Sequence, residues 1–141
     1  MFENATRVPL IVSVPGMKSA GQSTKSLAEM TDIYPTLAEL AGLSAPKHLS
    51  GVSQASLLSD PAAVARDSAL TQYDIGYSLR TPRYRYTEWG NEGRRGAELY
   101  DHETDPLEMV NLADRPELAE TVSRLSKQLR QRIENAMRTP E

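Results

Sequence analysis

The sequence has 141 residues, 39% of them hydrophobic and 25% charged, which is typical of an ordinary globular protein of about one domain. Its 16 basic and 19 acidic residues are interspersed and give a net charge of -3, so no nucleic-acid partner is expected. No apolar run approaches the roughly 18 residues of a membrane span, so no membrane partner is expected either. The absence of cysteine excludes disulfides, thiolate metal ligands and a cysteine nucleophile.

Two regular elements are predicted in the amino-terminal half. The apolar, β-branched run from Val8 to Val14 is typical of a strand buried on both faces of an α/β sheet. Thr31-Asp32 can cap a short helix, whose apolar side chains share one face and which ends at Gly42. Residues 44–66 are rich in Pro, Gly and Ser and predict a linker, anchored to a core by Leu57-Leu58.

The carboxy-terminal half contains four short aromatic or β-branched runs separated by turn residues, which predict a small antiparallel sheet. These runs are Ser68 to Tyr73, Tyr77 to Arg80, Tyr84 to Trp89 and Ala97 to His102.

A long amphipathic helix should follow the sheet. Asp114 and Glu117 have the spacing of a capping box, which marks a helix start. An apolar stripe at helical spacing should cover one face of the sheet; it consists of Leu118, Val122, Leu125, Leu129 and Ile133. The predicted class is therefore α+β: residues 1–66 form the end of an α/β core with a linker, and residues 67–141 form the sheet with its helix.

Several short motifs occur in a characteristic order along the chain. They are Phe2-Glu3-Asn4-Ala5-Thr6-Arg7-Val8-Pro9, Pro15-Gly16, Asp32-Ile33-Tyr34-Pro35-Thr36-Leu37, Tyr77-Ser78-Leu79-Arg80-Thr81, Tyr84-Arg85-Tyr86, Glu98-Leu99-Tyr100-Asp101 and Asp105-Pro106-Leu107-Glu108. The ordered set resembles the carboxy-terminal segment of the sulfatases, in the alkaline-phosphatase-like superfamily. The resemblance spans Phe2 to about Ala136 and is strongest to the iduronate and choline sulfatases.

The resemblance implies a hydrolase of sulfuric esters that uses calcium and a formylglycine made from Cys or Ser in a Cys/Ser-x-Pro/Ala-Ser-Arg motif. The nearest serine variant is Ser53-Gln54-Ala55-Ser56-Leu57, where leucine replaces the arginine. The family's metal ligands precede the motif that begins here at Phe2. No catalytic residue, metal ligand or cofactor is therefore expected in this chain, and calcium, formylglycine and a sulfated substrate are expected only in a full-length member. Full-length relatives are often periplasmic, secreted or lysosomal, whereas the compartment of this chain is unknown.

A substrate-binding wall is a further hypothesis, because Arg binds sulfate or carboxylate in a forked geometry and an indole offers a flat surface. Its candidate residues are Arg80, Trp89 and Glu98, with Arg83 and Arg85 nearby. The alternative, which is favoured, is that these cations pair across strands with Glu88, Glu92 or Glu98 and that the aromatic rings pack.

The two histidines lie in segments that are rich in turn-forming residues. Asp101-His102-Glu103 with Asp105 resembles a carboxylate and histidine cluster, but these residues also form turns readily, and the turn is the favoured interpretation. His48 lies in the predicted linker and is expected to be exposed.

Two functions are consistent with these observations. The chain is either the carboxy-terminal fragment of a sulfatase, inactive alone, or a free-standing binding or assembly module derived from one. The reading frame upstream of Met1 would distinguish them. Because the predicted amino-terminal strand and helix would expose apolar surface, a homodimer is also expected.

Overall fold

The computed structural model describes residues 1–138. The chain divides into two compact units, which are described separately below. Met1–Pro9 and Leu70–Met137 form the first, here called the sheet unit, and Leu10–Ala69 form the second, here called the polar unit. The amino-terminal residues thus belong with the sheet. The predicted domain division after residue 66 stays a prediction. The last residues of the predicted second domain, 139–141, lie outside the described residues.

The sheet unit contains the predicted four-stranded sheet. Its strands are β1 (Ala69–Tyr73), β2 (Gly76–Arg80), β3 (Tyr84–Trp89) and β4 (Ala97–Asp101), and they lie side by side in chain order. The pairs β2/β3 and β3/β4 are antiparallel. Short turns connect consecutive strands, as expected for an antiparallel meander. The α+β prediction is confirmed.

One face of the sheet packs against a long helix, α3 (Ala119–Met137). Leu79, Tyr86 and Leu99 are neighbours across three strands and point to this face, where they meet Leu125 and Leu129 of α3. The four leucines are fully buried, and full burial of such a side chain stabilises a fold by about 1.5–3 kcal/mol. The predicted stripe is confirmed, since its other members pack half-buried around this core.

The predicted capping box at the start of this helix is wrong. A 3-10 turn, Pro116–Leu118, precedes α3, and its N-cap is Arg115, which makes no side-chain cap bond. Proline favours the first helical position because it has no N–H to satisfy and its φ is already helical. Pro116 therefore sets the start of the turn, and Asp114 lies one residue outside it. No helix within residues 1–138 is long and apolar enough to cross a membrane.

The strand predicted from Val8 to Val14 does not form. These residues have no regular secondary structure, and Ile11 is 89% exposed. A strand requires a neighbour that accepts and donates its backbone hydrogen bonds. No strand pairs with this segment among residues 1–138. Its apolar pattern therefore marks a segment suited to burial that this chain leaves exposed. A short helix, α1 (Glu3–Thr6), precedes it.

The polar unit contains the predicted helix, α2 (Ile33–Leu40), preceded by a 3-10 turn at Met30–Asp32. The capping differs from the prediction, because the Asp32 side chain makes no cap bond to α2 and instead accepts a hydrogen bond from the Glu29 N–H. The helix ends as predicted, with Gly42 at a φ of 69° that favours glycine.

The predicted linker is anchored through its backbone and polar side chains. It contains a 3-10 turn, Ala55–Leu58, and the Ser19 hydroxyl and N–H donate to the carbonyl oxygens of Leu57 and Leu58. The leucine side chains themselves are only half-buried, so the predicted apolar anchor is replaced by hydrogen bonds.

Candidate functional site

The three predicted wall residues lie on the sheet face opposite α3. Successive side chains of a strand alternate between faces, so Trp89 points away from the face that carries Tyr86. The Trp89 indole N–H donates to Glu98 Oε1 at 3.0 Å, and its ring packs over Gly76. Arg80 lies at the other end of β2, four residue pairs away, which corresponds to about 13 Å. The structure therefore brings Trp89 and Glu98 together and separates Arg80 from both, and the wall stays a prediction.

Arg80 belongs instead to a cluster of charged side chains at its end of this face. We call Glu3, Arg80, Arg85, His102 and Glu108 the charged cluster. Arg85 is 1% exposed, and its guanidinium donates to Glu108 at 2.5 Å and to Glu3 at 2.6 Å. A further carboxylate oxygen, Glu108 Oε2, accepts a hydrogen bond from the backbone N–H of Glu3 at 2.6 Å. Arg85 is thus buried with two carboxylate partners, as a buried charge requires.

Arg80 and His102 complete the charged cluster. Arg80 Nε donates to Glu3 at 3.3 Å, and Arg80 Nη2 lies 2.9 Å from His102 Nδ1. His102 Nε2 lies 2.8 Å from Glu108 Oε1. Two carboxylates therefore face two guanidinium groups, and every member contacts at least one other.

These charges shift two pKa values within the charged cluster. Burial alone would raise the pKa of Glu3, but the charges of Arg80 and Arg85 and the hydrogen bond from Arg85 outweigh it, so the pKa lies below its usual range. Burial lowers the pKa of Arg80, and Glu3 opposes that shift. Glu3 is therefore ionised at neutral pH.

A metal ion does not fit the charged cluster. Single ligand atoms of Glu3, His102 and Glu108 lie within 4.8 Å of one another. However, Arg80 and Arg85 already neutralise both carboxylates, so no negative charge is left for a cation. Calcium also prefers six to eight oxygen ligands, and histidine supplies a nitrogen. The cluster is therefore an ion-pair network, and the calcium that the resemblance implies has no ligand set in it.

The turn interpretation of the Asp101 segment is correct for its carboxylates. Asp101 accepts hydrogen bonds from Arg83 Nε at 3.0 Å, from Arg83 Nη2 at 2.7 Å and from the Glu103 N–H, while Asp105 accepts one from the Val110 N–H. The hydrogen bond from Arg83 holds the pKa of Asp101 below its usual range. His102, by contrast, points into the charged cluster, which the sequence interpretation missed.

The expected cross-strand pairing of arginine with glutamate takes a different form. Arg80 and Arg85 pair with Glu3 and Glu108, which lie outside the strands, and Arg83 pairs with Asp101, the last residue of β4. Glu88, one of the glutamates considered, instead accepts hydrogen bonds from Tyr86 at 3.0 Å and Ser126 at 2.6 Å. Burial and the neighbouring Glu88 raise the pKa of Tyr86 to about 12.

The polar unit has its own buried ion pair, between Asp32 and Arg66. Arg66 donates to both carboxylate oxygens of Asp32, and Asp32 also accepts from the Val52 N–H at 2.7 Å and the Gln54 side chain at 2.9 Å. Burial would raise the pKa of Asp32, but the hydrogen bond from Arg66 and the backbone donors outweigh it and lower the pKa. Every Asp32 oxygen is thus occupied, which favours a structural role.

The serine variant of the nucleophile motif has ordinary local contacts. The Ser53 hydroxyl accepts a hydrogen bond from the Ala55 N–H at 3.2 Å, which is a turn contact, and Ser56 is exposed. His48 is exposed as predicted.

Comparison with known proteins gives these motifs a context. Residues 1–135 match the family described as N-sulphoglucosamine sulphohydrolase, C-terminal. A Delta 4,5-hexuronate-2-O-sulfatase of Bacteroides thetaiotaomicron is 34% identical over 133 residues, which are 86% of this chain and 27% of that protein. Arylsulfatase K of Mus musculus is 32% identical over 128 residues, which are 80% of this chain and 23% of that protein.

Solved structures agree with these matches. A 2-O GAG sulfatase shares 30% identity and superposes with a TM-score of 0.63 over 74% of this chain and 24% of that one. A second structure, in complex with its substrate D-glucosamine-2-N,6-O-disulfate, shares 25% identity with a TM-score of 0.66 over the same shares of the two chains. The chain thus spans about a quarter of the length of the relatives that it matches.

Proposed function

Since the chain belongs to the sulfatase family, in that family's carboxy-terminal region, we propose that it is the carboxy-terminal subdomain of a sulfatase that hydrolyses the sulfate ester of a sugar. The observation that carries this proposal is the match over residues 1–135, which includes the sheet and most of α3. Among subtypes, an iduronate-type substrate, a uronate 2-O-sulfate, is favoured over choline sulfate. The name of the hexuronate-2-O-sulfatase relative supports that choice.

In this proposal the chain contributes structure rather than chemistry. Sulfatases generally depend on calcium and formylglycine, and a covalent mechanism requires an activated nucleophile. Arg85, Glu3 and Glu108 of the charged cluster are engaged with one another, and Ser53 takes part in a turn. The isolated chain is therefore expected to be inactive.

An activity assay tests this proposal. The purified chain should give no turnover of a chromogenic aryl sulfate or a uronate 2-O-sulfate in the presence of calcium. Robust turnover would contradict the proposal. Turnover that survives replacement of Ser53 and Ser56 by alanine would also exclude these two serines as the source of the nucleophile. The reading frame upstream of Met1 is the second test: a continuous frame that encodes Cys-x-Pro-Ser-Arg supports a fragment of a longer sulfatase.

A free-standing assembly module is the second candidate, and exposed apolar side chains of the polar unit favour it. Ile11 is 89% exposed, and Tyr34 and Leu37 of α2 are 59% and 60% exposed. Exposed apolar area costs about 25 cal/mol per Å2, so a second copy of the chain would gain stability by covering it. Light scattering at micromolar concentration should then report a dimer, and Ile11→Asp should shift it toward monomer. A monomer at every concentration would exclude this candidate.

A further inference from the structure

Two aromatic side chains, Tyr73 and Trp89, lie at one end of the sheet face opposite α3. Leu70 packs against the leucine core, and side chains alternate along a strand, so Tyr73, three residues on, points away from α3 as Trp89 does. Tyr73 is 70% exposed and Trp89 is half-buried. Resting on the proposed function, we propose that these two rings, here called the aromatic platform, bind a sugar ring of the anionic oligosaccharide that carries the sulfate ester.

The strand register places the two rings on one surface. A two-residue turn connects β1 to β2, so Tyr73 lies opposite Gly76. Gly76 in turn pairs with Trp89, and since neighbouring strands are about 4.8 Å apart, the Tyr73 and Trp89 backbones are separated by about 10 Å. Gly76 has no side chain to fill the space between them, and the Trp89 indole packs over it. The two rings therefore border one continuous apolar surface.

The indole of the aromatic platform is held in a fixed orientation. Its N–H donates to Glu98 Oε1 at 3.0 Å, and its ring packs over Gly76. The Trp89 backbone N–H donates to the Gly96 carbonyl oxygen, and its carbonyl oxygen accepts from the Arg95 N–H, both at 2.9 Å. A ring that is ordered before binding loses little conformational entropy when a ligand stacks on it. Glu98 is thus a positioning residue for Trp89.

The loop between β3 and β4, residues 90–96, carries two arginines next to the aromatic platform. Arg94 and Arg95 are exposed, and neither forms an ion pair within residues 1–138. The Arg95 stem lies beside Gly90, which directly follows Trp89, because a Cβ at Gly90 would be 3.1 Å from Arg95 Cγ. Guanidinium groups bind sulfate and carboxylate through charge-assisted hydrogen bonds. The loop therefore offers donors for an anionic substituent of the bound sugar.

Carboxylates are present at the same end of the sheet. Asp74 and Glu92 are exposed in the two turns, Glu98 is bonded to the indole, and Glu88 faces α3. This end therefore has no excess of positive charge that would attract any polyanion from a distance. Carboxylates accept hydrogen bonds from hydroxyl groups, and an aromatic ring packs against the C–H groups of a sugar. The combination fits a ring with both hydroxyl and anionic groups, such as a uronate or a sulfated sugar.

A titration of the purified full chain tests the aromatic platform directly, because Trp89 is the single tryptophan. A heparin tetrasaccharide, which carries uronate and sulfate groups, should change the Trp89 emission and shift the indole N–H signal in nitrogen NMR. Its desulfated counterpart should shift the same signal with an affinity about tenfold lower, because charge-assisted hydrogen bonds to sulfate are lost. Inorganic sulfate alone should leave the indole signal unchanged.

Tyr73→Ala should weaken tetrasaccharide binding by about tenfold, because one of the two stacking surfaces is lost. Tyr73 is exposed, so the fold should be retained. Tyr34→Ala is the matched control, since Tyr34 is 59% exposed and belongs to the polar unit, and it should bind like the wild type.

Arg94→Ala combined with Arg95→Ala should weaken binding of the sulfated tetrasaccharide by about tenfold and leave binding of the desulfated one nearly unchanged. The matched control removes two exposed cations from α3, by Arg124→Ala combined with Lys127→Ala, and should bind both probes like the wild type.

Three results would overturn the aromatic platform: an unchanged indole signal with the tetrasaccharide, equal losses in the test and control variants, or an equal response to inorganic sulfate alone. None of these measurements requires turnover. A chain that neither turns over nor binds the tetrasaccharide refutes the platform and leaves the proposed function standing. A chain that binds at Trp89 but shows robust turnover refutes the proposed function and leaves the platform standing.

Discussion

The sheet unit and the polar unit bury different kinds of side chain. All the buried large hydrophobic side chains of residues 1–138 belong to the sheet unit, where Leu79, Leu99, Leu125 and Leu129 meet between the sheet and α3. The buried residues of the polar unit are mainly polar or charged: Ser19, Asp32, Thr36, Gln54, Arg66 and Ser68. An apolar core gains stability in proportion to area removed from water, whereas a buried ion pair gives little net stability and is costly to break. The sheet unit should therefore be intrinsically stable, and the polar unit should depend on a few specific contacts.

The largest expected effect is at the centre of the sheet unit. Leu129 is fully buried, so Leu129→Ala should destabilise the unit by about 3–5 kcal/mol through lost burial and the cavity left behind. Leu107→Ala is the matched control, since Leu107 is 78% exposed and its loss should change stability by less than about 0.5 kcal/mol. Urea denaturation followed by Trp89 fluorescence measures both. Equal effects of the two variants would show that the leucine core does not hold this unit.

Asp32→Asn tests the polar unit. The substitution leaves Arg66 buried without its main carboxylate partner, which should cost about 3 kcal/mol. This cost is at the lower end of the range for a broken buried ion pair because Glu29 still contacts Arg66. Hydrogen exchange should increase in α2 and around Gln54 and stay unchanged in α3. Glu39→Gln, an exposed change on the same helix, should have no such effect. Equal loss of protection in both units would contradict the difference between them.

Gly76→Ala tests the sheet face opposite α3. A Cβ at Gly76 would lie 2.5 Å from Trp89 Cε3, and the Trp89 indole is held by its hydrogen bond to Glu98. The ring must shift, so a loss of about 1–3 kcal/mol is expected, together with a change in Trp89 emission. Gly21→Ala is a useful contrast in the polar unit, because a Cβ there has open space, although its φ of 73° adds backbone strain. Unchanged emission in Gly76→Ala would contradict the packing described for Trp89.

Acid should destabilise the polar unit more than the sheet unit. The pKa of Asp32 is lowered in the folded chain, so its stabilising contribution is present above the unfolded value of about 4 and is lost as pH falls through the lower folded value. The pKa values of Glu3 and Asp101 are also lowered, so their stabilising contributions are also lost in acid. The buried leucines of the sheet unit carry no charge, however, and continue to stabilise it. As the pH falls from about 5 to about 2, hydrogen exchange should begin to rise at a higher pH in α2 than in α3. Asp32→Asn should remove this acid dependence from α2. Earlier opening of α3 would contradict the prediction.

The sequence alone determined the elements that depend on local chemistry. The alternating runs predicted all four strands, and β3 was predicted with its observed bounds, Tyr84–Trp89. The stripe of α3 was correct because helical periodicity aligns Leu125 and Leu129 on one face whatever they pack against. The family resemblance followed from the order of short motifs, and comparison with relatives confirmed it.

Only the tertiary structure decided where the charges meet. Glu3 and Glu108 are 105 positions apart, yet a 2.6 Å hydrogen bond joins them, and no local pattern predicts which carboxylate a buried arginine will select. Likewise, the apolar run from Val8 to Val14 has the composition of a buried strand, but pairing depends on a neighbouring strand that residues 1–138 do not supply. Helix and strand patterns depend on residues that are close in sequence, whereas ion pairs and strand partners depend on which distant segments the fold brings together.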